Sequence, residues 1–136
     1  PIPWPAKLFL AEIDRDWAHL DVVRPRAGGG IRPIIAFCNY WLVRDEVHLL
    51  NLATHPEWRR RGVARALMDR LMAFSDHHRC CLVTLEVRRS NEPAQALYRD
   101  YGFAAMGIRP RYYAGDGEDA VVMTLDLDGP GDLAES

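Results

Sequence analysis

The stretch RRRGVARALMDRLM, residues 59–72, joins three consecutive arginines and a glycine to a helical repeat. From Gly62 onward Val63, Leu67, Leu71 and Phe74 recur every three or four residues, the spacing that gives a helix one apolar face. A helix starting here leaves its first amides unpaired at the positive end of its dipole, where an anion can satisfy them. Gly62 permits backbone angles closed to other residues, and the small Ala64 lets a phosphate approach the main chain. The same letters also describe an ordinary helix start with solvated arginines, and spacing alone leaves both readings open. The stretch lacks the terminal Lys-Ser/Thr pair of a phosphate loop and the second glycine of the dinucleotide fingerprint, which argues against both of those nucleotide sites.

The flanking sequence is strand-like. Ile34 to Val43 is apolar and aromatic, Asp45 and Glu46 interrupt it, and Val47 to Ala53 resumes, so two antiparallel strands are expected before Pro56 breaks the pattern. Further upstream, His19 to Arg24 reads as a strand and RPRAGGGIRP as a turn-rich connection. Residues 5–14, PAKLFLAEID, read as a short helix with Pro5 in its first turn. Downstream, Val83, Leu85 and Val87 alternate with Thr84 and Glu86, which places the carboxylate opposite the apolar face of a strand. Asn91 is a suitable cap for a helix carrying Ala94, Leu97, Tyr98 and Tyr101 on one side and ending at Gly102. Phe103 to Ile108 and Ala120 to Leu127 supply two more strands, joined by a loop with Tyr112, Tyr113 and GDGED. The tail DGPGDLAES, residues 128–136, has no apolar periodicity and is expected to be mobile. The order predicts an α/β fold with a mixed sheet, as a single domain over residues 1–127.

Composition narrows the function classes. A chain of 136 residues with 49% hydrophobic and 26% charged residues has the balance of a folded, water-soluble domain. Its net charge of −2 gives no general attraction to nucleic acid, so any phosphate site must be local. Cys38, Cys80 and Cys81 have neither metal-ligand spacing nor a disulfide framework, the five histidines form no ligand motif, and no metal is expected. No apolar run approaches the ~20 residues of a membrane helix, and no basic-then-apolar signal segment opens the chain; a cytoplasmic protein is expected.

The stretch NLATHPEWRRRGVARALMDRLM resembles the acyl-CoA-binding motif of the GNAT superfamily of N-acetyltransferases: Arg or Gln, two residues, Gly, one residue, then Gly or Ala. Arg59, Gly62 and Ala64 match it in order. The resemblance continues through LEVRRSNEPAQALYRDYGFAAMGIRPRYY and GEDAVVMTLDL, which are similar to bacterial ribosomal-protein alanine N-acetyltransferases of the RimI type. It covers most of the chain, from Trp4 to Leu127. Members of that family usually carry a strand and a helix before the segment matching PWPAKLFLAEI. Both are missing here, so a GNAT fold lacking its usual first strand and helix is expected, with removal of a preceding segment as the preferred explanation.

The resemblance implies acetyl-CoA as cofactor and direct acetyl transfer in a ternary complex to a protein N-terminal alanine, with small-subunit ribosomal protein eighteen as acceptor. It assigns the general base to Glu86 and the acid that protonates the departing thiolate to Tyr98. Leu52, Ala53 and Thr54 would offer main-chain groups to the pantetheine arm. Arg60, Arg61, Gly62, Val63, Ala64 and Arg65 would hold the pyrophosphate chiefly through amides, and Asn91 would contact the cofactor as well as cap its helix. Tyr112, Tyr113, Glu118 and Asp119 resemble the family's loop beside the peptide channel, where acidic groups meet a basic peptide. Two alternatives stay open: a GNAT acting on a lysine or small amine, since the cofactor loop does not report the amine, and a non-catalytic acyl-CoA-binding module. Taken without the family, Glu86 also reads as a surface carboxylate paired with Arg88, and Tyr98 as part of a core stripe.

Overall fold

A computed structural model describes residues 17–25 and 33–127 of the protein. The expected helix over residues 5–14, most of the glycine-rich connection and the tail lie outside the described residues. The elements in chain order are β1 (Ala18–Val23), β2 (Ala36–Val43), β3 (Glu46–Thr54), a one-turn 3-10 helix (Pro56–Trp58), α1 (Val63–His77), β4 (Leu82–Arg88), α2 (Glu92–Asp100), β5 (Ala104–Arg109) and β6 (Ala120–Asp126). The strands form one sheet in the order β1-β2-β3-β4-β6-β5. Only the β3–β4 pair is parallel, because α1 crosses between those two strands; the other pairs are antiparallel. The expected mixed α/β sheet is the one found. No described helix is long and apolar enough to cross a membrane.

Alternation decides which side of the sheet is dry. Val83, Leu85 and Val87 are buried, whereas Thr84, Glu86 and Arg88 on the other face keep part of their surface. Ala36, Cys38 and Tyr40 of β2, Val47 and Leu49 of β3, and Val121 and Met123 of β6 join the same core. Leu67, Met68 and Leu71 of α1 close it, with Val63 and Phe74 packed at its margin. Each such side chain contributes about 1.5–3 kcal/mol when fully buried, so Leu67, Met68 and Leu71 are enough to dock α1 firmly. Ser75 sits among them without cost because its hydroxyl donates to the Leu71 carbonyl at 2.8 Å.

The second helix is specified just as locally. The Asn91 side chain accepts from the Ala94 amide at 3.2 Å, which caps α2. Tyr98 is buried, with Ala94, Leu97 and Tyr101 packed against the core. Gly102 follows at φ 100°, where a side chain would meet Leu125 at 3.1 Å, so the helix ends where a residue without Cβ is needed.

One irregularity positions the site. In the β2–β3 hairpin Tyr40 faces Leu49 and Asn39 faces Asn51, which leaves Leu50 as an extra residue in β3. Such a bulge bends its strand and raises the local twist. The parallel β3–β4 pairing covers Glu46–Leu49 against Leu82–Leu85 and stops there, although β3 runs on to Thr54 and β4 to Arg88. Past the bulge the two strands therefore part, and a cleft opens between them.

Candidate active site

One side of this cleft is built at the start of α1. After the 3-10 turn, Arg60 and Gly62 both take left-handed backbone angles, with φ 63° and 80°. Gly62 is the N-cap, and no side chain caps the helix. The first helical bond runs from the Ala66 amide to the Gly62 carbonyl, so the amides before it are free to meet an anion. An added Cβ at Gly62 would meet nothing within 4 Å, so glycine is required there by conformation and not by space.

A cavity of about 710 Å³ lies over these amides. One wall is Leu52, Ala53 and Thr54 of β3, whose β4-side edge is unpaired past the bulge; Gly62, Val63, Ala64 and Arg65 form its end, and Asn91 and Tyr98 lie across it. The wall takes in Arg60 and Arg59 but not Arg61, whose guanidinium instead lies 4.8 Å from the Trp58 ring centroid. The Arg65 side chain points elsewhere too, donating to Asp100 at 2.6 Å and so tying α1 to α2. Arg59 and Arg60 thus line the cavity, whereas the side chains of Arg61 and Arg65 are engaged with Trp58 and Asp100. The Tyr101 hydroxyl, 2.7 Å from Asp69 and 3.0 Å from the Arg65 carbonyl, reinforces that helix pair; burial, aided by Asp69, pushes its phenol up to about 12.

A second cavity of about 390 Å³ continues the cleft on the far side of the parted strands. Leu52, Asn91, Ala94 and Tyr98 line both spaces. Tyr98 therefore stands at the junction, only 6% exposed, and among the described residues its hydroxyl has no hydrogen-bond partner. Burial raises its pKa well above that of an ordinary phenol, with smaller contributions from Cys38 and Tyr113, so it carries its proton at neutral pH. Glu86 lines the second cavity together with Arg88, Tyr112 and Tyr113, and a quarter of its side chain remains exposed.

The charged partners differ from those read in the sequence. Arg88 does not pair with Glu86: its guanidinium donates to Asp116 at 2.8 Å and Glu118 at 3.0 Å and lies over the Tyr113 ring at 4.1 Å. The cation near Glu86 is Arg109, whose Nε is 3.9 Å from the carboxylate. Arg109 reaches it from β5, two strands away across β6, and Gly107, the β5 residue opposite Val122 in the row of Glu86, carries no side chain. The loop carboxylates are also committed. Glu118 accepts from the Ser90 amide at 2.7 Å, and those bonds, followed by Arg88, hold its carboxyl below the usual range. Asp119 pairs with Arg89 at 3.3 Å and accepts from the Arg111 amide at 3.0 Å. Both acidic groups brace the loop from within.

The chemistry available is that of an acid, a base and an anion cradle. Among the described residues no cluster of His, Cys, Asp and Glu could hold a metal ion. The Cys38 thiol is fully buried, and burial pushes it up to about 12, so it has no thiolate character near neutrality.

Comparison with known proteins gives this arrangement its family. The model of the acetyltransferase (GNAT) family matches residues 2–103. The ribosomal protein bS18-alanine N-acetyltransferase of Escherichia coli is 33% identical over 127 residues, which span 92% of this chain and 82% of that protein. The N-alpha-acetyltransferase RimI of Mycobacterium tuberculosis is 36% identical over 131 residues, 94% of this chain and 78% of its own. The crystal structure of the Escherichia coli ribosomal-protein alanine N-acetyltransferase superposes with a TM-score of 0.78 at 33% identity and covers 93% of this chain and 79% of that one. The uncapped helix start and the unpaired β3 edge fit the pyrophosphate and the amide-bearing arm of coenzyme A. The chain belongs to the GNAT family of acetyltransferases and is an acyltransferase that uses acetyl-CoA.

Proposed function

We propose that the protein transfers the acetyl group of acetyl-CoA directly, in a ternary complex, to the α-amine of a protein N-terminal alanine, with ribosomal protein bS18 as the acceptor. The observation that carries this reading is the junction of the two cavities. Tyr98 faces both, and Glu86 lines the one remote from the phosphate cradle, so cofactor and amine can enter from opposite sides and meet there. The names of relatives that are 33% and 36% identical over most of the chain support the acceptor.

When bound, acetyl-CoA supplies an acyl group activated as a thioester. Gly62, Val63, Ala64 and Arg65 anchor its pyrophosphate through their amides, and the free edge of Leu52, Ala53 and Thr54 aligns its arm and offers N–H donors to developing negative charge. Glu86 takes a proton from the incoming ammonium, directly or through one water. An α-amine with a reference pKa of about 8 is mostly protonated at neutral pH and cannot attack until it loses that proton. Tyr98 keeps its proton because it is buried, and it delivers that proton to the sulfur as the C–S bond breaks. Asn91 lines both cavities while capping α2, so one side chain serves the helix and the cleft.

The test is a panel of peptides that start with alanine, start with other residues, or carry a blocked N-terminus, incubated with acetyl-CoA and read by mass spectrometry. Acetylation of free alanine termini is expected. Labelling confined to lysine side chains would overturn the acceptor, and coenzyme A binding with no transfer to any peptide would favour a binding module.

A further inference from the structure

A cluster of charged contacts beside the second cavity involves neither of the residues proposed to carry the chemistry. We infer that Arg88 is a positioning residue for the acceptor, holding the Tyr113 wall of the cleft in place beside Glu86; this rests on the proposed acceptor reading. Arg88 and Glu86 are two residues apart on the same face of β4, paired across to Ala120 and Val122 of β6. Both line the second cavity, as do Tyr112 and Tyr113.

One guanidinium makes three contacts with the β5–β6 loop. It donates to Asp116 and to Glu118, and its central carbon lies 4.1 Å from the Tyr113 ring centroid. One guanidinium nitrogen, Nη1, gives both hydrogen bonds while the delocalised cation keeps its central carbon over the aromatic ring, a contact that a compact lysine ammonium makes less well. The second oxygen of Glu118 is held by the Ser90 amide, and the Arg89 amide donates to the Asp119 carbonyl at 3.0 Å, so the loop is fastened to the end of the base-bearing strand.

The strand end is itself held from the other side. Gln95, buried in α2 one turn before Tyr98, donates to the carbonyls of Arg88 at 3.1 Å and Arg89 at 2.9 Å. The helix with the acid, the strand with the base and the loop with the aromatic wall thus meet at one residue. The amides at Gly62 share none of the Arg88 side-chain bonds, so loss of that side chain acts first on the loop that walls the second cavity.

The experiment compares the full chain with Arg88→Gln, Arg88→Lys, Glu118→Gln and the Arg88→Gln/Glu118→Gln double variant, using an alanine-starting peptide and acetyl-CoA. Arg88→Gln is expected to raise the peptide KM roughly tenfold, the order for losing a charge-assisted anchor, with the acetyl-CoA KM nearly unchanged. Arg88→Lys should fall between, and the double variant should be no worse than Arg88→Gln. Amide exchange over residues 112–119 should speed up in Arg88→Gln while that of α1 stays constant. An unchanged peptide KM in a folded Arg88→Gln, equal damage to both KM values, or additive effects in the double variant would overturn the inference. Should Arg88→Gln fail to fold, the same criterion applies to Glu118→Gln, whose peptide KM must rise. Absence of transfer by the wild-type chain would instead overturn the acceptor reading itself, and the inference with it.

Discussion

Replacing Gly62 separates cofactor binding from folding. The residue sits at φ 80° with open space around the missing Cβ, so alanine introduces no clash and its cost is conformational. Holding an ordinary residue in the left-handed region costs about 1–2 kcal/mol, and a β-branched one more. The loop from Arg59 to Gly62 is exposed, so it can escape this strain by relaxing locally without unfolding the core. The amides of α1 then present the cradle in only a fraction of molecules, and the apparent Kd rises by the inverse of that fraction. For alanine the ceiling is about 5- to 30-fold in coenzyme A Kd, from 1–2 kcal/mol, with little change in Tm. Gly62→Val should be worse, whereas Gly62→Asn should recover much of the loss because asparagine tolerates this region. Isothermal titration of coenzyme A into the three variants checks the series. Wild-type affinity in Gly62→Val, or equal loss in the Val and Asn variants, would refute the reasoning that backbone conformation makes the cradle.

Glu86→Gln should lower turnover strongly while the coenzyme A Kd stays near wild type, because the residue lines the second cavity and not the first; stopped-flow acetyl transfer with parallel titration distinguishes the two, and equal damage to both would count against its role as base. Tyr98→Phe should slow turnover far more than it lowers Tm, since the ring packs in the core while the hydroxyl makes no hydrogen bond among the described residues; unchanged turnover would remove it from the mechanism. His19 offers a test on stability. Burial, and then His78, depress its folded pKa against the opposing pull of Asp21, and its Nε2 is buried without a hydrogen-bond partner among the described residues. The unfolded chain therefore binds the proton more readily, so the contribution of His19 to stability is whole above its unfolded value of about 6.5 and is lost as pH falls below it. Thermal unfolding between pH 7.5 and roughly 5 should show this decline, and His19→Phe should flatten it; an unaltered slope would remove His19 as its source.

Local patterns carried most of the fold in the sequence. The three- and four-residue spacing of Val63, Leu67 and Leu71, the alternation around Glu86 and the Asn91 cap each describe a structure formed within one element, and the elements appear within a residue or two of the expected positions. The placement of Glu86 off the apolar face and of Gly62 at a helix start followed from the same local logic. What was not legible depends on partners far along the chain. Leu50 becomes a bulge only because β2 sets the register, and nothing in HLLNL announces it. Arg109 comes to Glu86 across β6, whereas Arg88, two residues from Glu86 in sequence, turns to the loop. Glu118 and Asp119 read as free acidic groups until their partners at Arg88, Ser90, Arg89 and Arg111 are known. The turn at Pro56–Trp58 sets Arg61 over the Trp58 ring, which an unbroken row of arginines does not reveal.

The most direct test of the account is where the acetyl group lands when one acceptor offers both kinds of amine. A peptide with a free alanine at its start and a lysine in its interior, incubated with the protein and acetyl-CoA, can be mapped by tandem mass spectrometry. Acetyl on the alanine α-amine is expected, with the yield collapsing in Glu86→Gln. Acetyl on the lysine alone, or an undiminished yield without the Glu86 carboxylate, would contradict it.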